Sequence, residues 1–252
     1  MITRILLTIL GVVLLSAMLY FWFYLALRLI GKESRRPLKE YAIPFLITAV
    51  PVMAVVFWVQ GKIEPIFTNN FEGLKLLILE MIFIPALTEE TGKFIGAVPA
   101  LKKFKPTNPV DYILMVGASG LGFTFTESCL DLWNGSTSLG SELTSVFIRG
   151  IYPFHLHMQF IMGIFLVLAL SNKSKGNFGL YKLFCVLSFV VPMLLHAAHD
   201  LISSLDSIFP SVYGFSALFV VAEAIIVPII VYKVIRKMST MPEIEYPDKM
   251  PA

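Results

Sequence analysis

Apolar positions fall into long blocks separated by short polar stretches. The blocks run Ile5–Ile30, Tyr41–Gln60, Leu74–Leu101, Val110–Leu132, Val146–Leu170, Leu180–Ser204 and Val212–Val234. Each approaches or exceeds the roughly 20 residues that a helix needs to cross the hydrocarbon core of a bilayer. The pattern predicts an all-α, polytopic transmembrane bundle of about seven spans. The first block is too long for a signal-peptide core and ends without a small-residue cleavage site, so it reads as a retained span. The third is long enough to tilt or bend, and Pro85 and Pro99 give it places to kink.

Charge alternates between the connections. Lys32, Arg35, Arg36 and Lys39 follow the first block; Lys102, Lys103 and Lys105 the third; Lys173, Lys175 and Lys182 the fifth; Arg236, Lys237 and Lys249 the last. The second connection has only Lys62, beside Glu64 and Glu72, while "WNGSTSLGSE" and the sixth connection around Asp206 have no Lys or Arg. The positive-inside rule makes the basic connections cytoplasmic. The N-terminus is then outside and the C-terminus cytoplasmic, which fits an odd number of spans.

Composition agrees. The 252 residues are 57% hydrophobic and 15% charged, with a mean hydropathy of +0.79. Ordinary soluble domains are roughly 45–50% apolar and about 25% charged, so a soluble domain is excluded. The expected organisation is one bundle over residues 1–236 and a polar, disordered cytoplasmic tail over 237–252. The expected location is a membrane, with the lipid bilayer as partner and no nucleic acid. Cys129 and Cys185 lie within apolar blocks and read as small buried hydrophobes. "GASGLGF" in the fourth block reads as a close-packing stripe. A dinucleotide loop would need a strand–turn–helix setting that this block does not supply.

Against this background the ionisable residues inside the blocks stand out. They are Glu80, Glu89, Glu90, Lys93, Glu127, His155, His157, His196, His199, Asp200 and Glu223. Each costs on the order of 2.5–3.5 kcal/mol at bilayer depth on insertion scales, so such groups face a bundle interior or a watery cavity. Their convergence on one cavity is therefore expected. In "IPALTEETGKF" Glu89 and Lys93 are spaced to pair at i,i+4. Glu90 points about 100° away, which suggests a carboxylate left free to act as a base. Phe123 and Glu127 share a face in the fourth block. His155 shares one with Gln159 in the fifth, while His157 points elsewhere. In "LLHAAHDLI", Asp200 stands one turn beyond His196, placed to orient its imidazole.

Glutamates on two helices and histidines on two more can activate water in two ways. A metal held by His and Glu lowers the pKa of a bound water. Alternatively a glutamate acts as base while histidines stabilise the oxyanion. No HExxH or Gly-x-Ser-x-Gly motif is present. The same residues could also serve an ion- or proton-coupled transporter, or persist in a non-catalytic receptor or scaffold.

The ordered set resembles the PrsW family of intramembrane proteases, within a superfamily shared with CAAX-prenyl proteases and bacteriocin-processing enzymes. Glu89, Glu90 and Lys93 match its EExxK motif, and Phe123 and Glu127 its FxxxE motif. Arg149, His155 and Gly163 match its third region, and His196 and Asp200 its last motif. The match covers roughly residues 74–201. Ser128 stands where the family often has Asn, and Gln159 where it commonly has Thr. The resemblance implies hydrolysis of a peptide bond in a membrane-anchored protein, an anti-sigma-factor-like substrate among the candidates. It implies catalytic roles for Glu89, Glu90, Glu127, His155, His196 and Asp200, with Lys93 and Arg149 in support. The family is described as metalloproteases, so a divalent metal such as zinc, held by His155, His196 and Glu127, is one form of the site. A glutamate-activated water without metal is the other.

Overall fold

A backbone in hydrocarbon must satisfy its own polar groups, and one way to do so is as a helix. The computed structural model describes residues 2–29, 36–135, 150–205 and 208–244. Among these, helices account for every long segment and there is no strand. They are α1 (Ile2–Leu29), α2 (Leu38–Thr68), α3 (residues 73–104), α4 (Pro109–Gly135), α5 (Phe154–Ser174), α6 (Phe178–Ser204) and α7 (Tyr213–Met238). Six are long and apolar enough to cross a membrane. The seventh, α3, has the length, but its last section carries Glu89, Glu90, Lys93, Lys102 and Lys103. The boundaries follow the apolar blocks within a few residues, except that α2 runs past Gln60 to Thr68 and α5 begins at Phe154, just after Pro153, and not at Val146. The missing amide of Pro153 is tolerated at that end, and His155 therefore sits in the first turn of α5.

Two helices contain a wider π-helical turn, each with a proline: Thr48–Val52 with Pro51 in α2, and Ile82–Ala86 with Pro85 in α3. Proline removes one ladder donor, and side chains bond carbonyls within both π turns. Thr126 donates to the Ala49 carbonyl at 2.6 Å, and Thr88 to that of Ile84. Pro85 distorts α3 as expected; Pro99 lies in a regular α-helical section. The π turn immediately precedes Glu89 and Glu90, and π turns often mark functional sites.

The bundle is centred on α4 and α5, whose apolar windows are 72% and 67% buried, against 11% for α6. The small-residue stripe makes this possible. A Cβ on Gly117 would lie 2.2 Å from the Phe160 ring, and one on Gly120 2.4 Å from the His155 carbonyl. The stripe is a packing surface, and Gly120 sets how closely the His155 turn approaches α4. At the opposite end, Tyr41 donates to Asp111 at 2.8 Å. The tail expected to be disordered is docked in part: Ile244 is buried and its amide donates to the Thr107 carbonyl at 2.7 Å.

Candidate active site

One turn beyond the π turn, α3 turns Glu89, Glu90 and Lys93 inward, all buried. Lys93 Nζ lies 2.8 Å from Glu90 Oε1, 3.3 Å from Glu89 Oε2 and 2.7 Å from His155 Nδ1. Its ammonium also sits 4.2 Å from the centroid of the Phe123 ring, a cation–π contact. The expected division of the two carboxylates is thereby corrected. Glu90 is the more firmly held: besides Lys93, His196 Nδ1 lies 2.8 Å from Oε1, and Gln159 Nε2 donates to Oε2 at 2.8 Å. Helical spacing permits i,i+3 as well as i,i+4 pairing, and Lys93 uses both.

The histidines come from α5 and α6. His155 Nε2 lies 3.0 Å from Glu127 Oε2 and 4.0 Å from Glu89 Oε2. His196 Nε2 lies 3.2 Å from Asp200 Oδ2 and 3.8 Å from Glu89 Oε2. The two ring centroids are 5.1 Å apart, and Phe154 presents a T-shaped contact to both. His157 turns away, its Nδ1 3.0 Å from the Pro153 carbonyl and its ring beside Trp22 and Tyr152. His199 pairs with Glu223 of α7 and stacks on Phe154.

These groups border a cavity of about 720 Å³ lined by α3 to α7. Glu89, Glu127, His155, His196, His199 and Asp200 are on its wall; Glu90, Lys93 and Gln159 are not. The expected convergence is thus present, with a carboxylate layer facing the cavity and a charge-paired layer behind it. Glu80 and His157 stay outside. Arg149 lies outside the described residues. Glu89, His155 and His196 each offer a ligand atom within 4.8 Å of the others. The carboxylate in that group is Glu89, whereas the expected set had Glu127, which lies 3.0 Å from His155 Nε2.

Two contributors were not anticipated. Gln60, at the end of the second apolar block, donates to Glu89 Oε1 at 3.2 Å. A lone amide inside an apolar run was the available signal. Gln159 was recognised as sharing a face with His155, but not as a donor to Glu90.

A carboxylate–imidazole centre buried among membrane-length helices defines the class: an integral membrane protein with an acid–base site inside the bundle. The chain belongs to the PrsW family of intramembrane metalloproteases, whose family model matches residues 36–232. It is similar to "Protease PrsW" of Clostridioides difficile (strain 630), with 23% identity over 192 residues, covering 64% of this chain and 79% of the relative. No solved structure matches. Family membership supports an intramembrane protease.

Proposed function

We propose that this chain hydrolyses a peptide bond of a membrane-anchored protein, with Glu89 as the carboxylate that meets the reacting water. One observation carries the choice. Glu89 reaches the cavity wall with Oε2 3.8 and 4.0 Å from the Nε2 atoms of His196 and His155, while Glu90 is held behind the wall. Glu90 and Asp200 fix the His196 ring from its two nitrogens. Lys93 fixes the His155 ring and holds Glu89 and Glu90 apart from each other's charge. Glu127, at 3.0 Å from His155 Nε2, is placed to carry a proton between water and the leaving amine.

The donor set fits a divalent metal ion. Glu89 with two histidines is a three-ligand set of the kind catalytic zinc sites use, leaving one position open. At His196, Nδ1–H donates to Glu90, the supporting contact usual for a ligating imidazole, while Nε2 faces Asp200 and would have to give up its proton to ligate. His155 meets a condition. Lys93 donates to Nδ1, so the neutral ring carries its proton on Nε2; for Nε2 to ligate as a neutral imidazole, that proton would leave and Lys93 would pass one to Nδ1, becoming a neutral amine. When bound, the ion would lower the pKa of a coordinated water and polarise the scissile carbonyl.

The cavity lies where α4 and α6 end and α5 and α7 begin. The orientation expected from the basic connections makes this the outer half of the bilayer, so cleavage is expected there. An anti-sigma-factor-like membrane protein is a substrate of the right form. The test is cleavage of a membrane-anchored peptide library by purified protein in lipid nanodiscs. Wild type should cut, and Glu89→Gln and His196→Ala should each lose roughly 10²–10⁴-fold in rate. Equal cutting by all three, or none by wild type under any metal supply, overturns the reading.

A further inference from the structure

The reaction chemistry leaves two ionisable groups of the membrane helices without a task. His199 of α6 and Glu223 of α7 are paired through Nδ1 and Oε2. Such groups are costly at bilayer depth, so their presence calls for a reason. A tie between two helices is one. The His199 ring also lies face to face with Phe154, with centroids 4.2 Å apart and planes 22° apart. Phe154 is the first residue of α5, directly after the helix-capping Pro153. Its ring makes T-shaped contacts with both imidazoles of the site, at 5.4 Å to His155 and 5.2 Å to His196.

Those contacts supply what hydrogen bonds do not. His155 is held at both ring nitrogens, by Lys93 and Glu127, and His196 at both, by Glu90 and Asp200. Bonds at Nδ1 and Nε2 fix the two ends of an imidazole and leave it free to tilt about the line joining them. A ring packed against it removes that freedom, because aromatic pairs favour T-shaped or offset-stacked approaches. His155 has a second such neighbour in Phe123, at 5.0 Å. Among the described residues, His196 has only Phe154 and the His155 ring itself. A phenyl ring has no hydrogen bonds of its own, so the plane of Phe154 depends on what covers its faces. His199 covers one of them.

We propose that Glu223, His199 and Phe154 form a chain of positioning residues that sets the tilt of the His155 and His196 rings. Glu223 fixes His199, His199 fixes the plane of Phe154, and Phe154 fixes the two imidazoles beside Glu89. Glu223 is buried and does not border the cavity, so it reaches the reaction only through the other two. The position of α7 is thereby carried to histidines on α5 and α6. The inference rests on the protease reading above.

Glu223→Ala should lower kcat roughly 10–10²-fold with KM within about twofold, the size of loss that a small misplacement of reacting groups produces. His199→Phe with Glu223→Leu keeps a flat ring against Phe154 and strands no charge. That pair should recover most of the kcat lost in Glu223→Ala. Wild-type kcat in Glu223→Ala overturns the proposal. So does failure of the apolar pair to recover it, since His199 and Glu223 would then act by charge or proton. Phe154→Leu leaves no charge unpaired and should lose kcat to the same extent; wild-type kcat there is equally fatal. A second measurement separates this from the protease reading. With isotope-labelled histidine, the ring signals of the four imidazoles are followed by NMR in lipid nanodiscs. In Glu223→Ala the signals of His155 and His196 should move together with that of His199, which upholds the chain even if wild type cuts nothing. Movement of His199 alone overturns it even if wild type is active.

Discussion

Glu90 and His196, 106 positions apart in the chain, are joined at 2.8 Å between Oε1 and Nδ1. The bond ties α3 to α6 and sets the surroundings of Glu90 apart from those of Glu89. Glu90→Ala should leave Lys93 and His196 without their shared carboxylate and destabilise the fold by about 3–5 kcal/mol, the usual result of removing one partner of a buried pair. Glu89→Gln should instead keep its hydrogen bond from Gln60 and shift thermal stability little while abolishing cleavage. Thermal unfolding in detergent beside a cleavage assay checks both. Equal destabilisation by the two changes would erase the distinction between the front and rear carboxylates.

Lys93 is fully buried and touches two carboxylates and an imidazole. Lys93→Met should therefore destabilise by about 3–5 kcal/mol, because it strands two neighbouring negative charges. Adding Glu90→Gln removes one of them, and the double variant should be more stable than Lys93→Met alone. A double-mutant cycle on thermal midpoints reads the coupling. Additive losses would show that the ammonium does not hold the layer together.

The helices were legible because their signal is one-dimensional: a run of apolar residues must be helical in a bilayer, whatever it packs against. The site residues were legible by type, since a buried charge in such a run needs a reason. Their arrangement was not. Whether Lys93 pairs with Glu89 or also with Glu90 depends on where α5 and α6 press His155 and His196 against α3, and helical spacing allows either. Gln60 and Gln159 carry no charge, so hydropathy gave them little weight, yet each donates to a glutamate of the site. The docking of Ile244 under Thr107 was equally invisible, because one apolar residue in a polar tail has no period to reveal it.

Gly120 offers a test of how closely α4 must approach the site. A Cβ there would meet the His155 carbonyl at 2.4 Å and Gln159 Cγ at 2.9 Å. Gly120→Ala should push back the turn that carries both residues and lower cleavage at least tenfold, with a loss of stability in the 1–3 kcal/mol range of overpacked cores. Gly61→Ala, in α2 with nothing within 4 Å of its Cβ, is the control and should be neutral or slightly stabilising. Wild-type activity in Gly120→Ala protein would mean that the α4–α5 spacing does not set the catalytic geometry.

Metal content discriminates between the two forms of the site. If Glu89, His155 and His196 hold an ion, purified protein should carry about one equivalent of a divalent metal by mass spectrometry. Chelation should remove both metal and cleavage, and zinc should restore both. Glu89→Gln and His196→Ala should lose the ion, while Glu80→Gln, away from the cavity, should retain it. Full cleavage by metal-free protein would instead assign the water directly to Glu89, with the histidines as donors to the oxyanion.

Topology decides which side of the membrane the cleavage products leave from. The basic residues Lys102 and Lys103 end α3, and Asn69 and Asn70 stand in the turn between α2 and α3. With the basic connections cytoplasmic, a cysteine replacing Asn69 should react with a membrane-impermeant maleimide in intact cells. One replacing Lys103 should react only after the membrane is opened. Cys129 and Cys185, both half-buried free thiols, are first replaced by alanine so that neither contributes to the signal. The opposite labelling pattern would invert the bundle, place the mouth shared by α4, α5, α6 and α7 on the cytoplasmic side, and require substrates whose cut segment lies in the inner half of the bilayer.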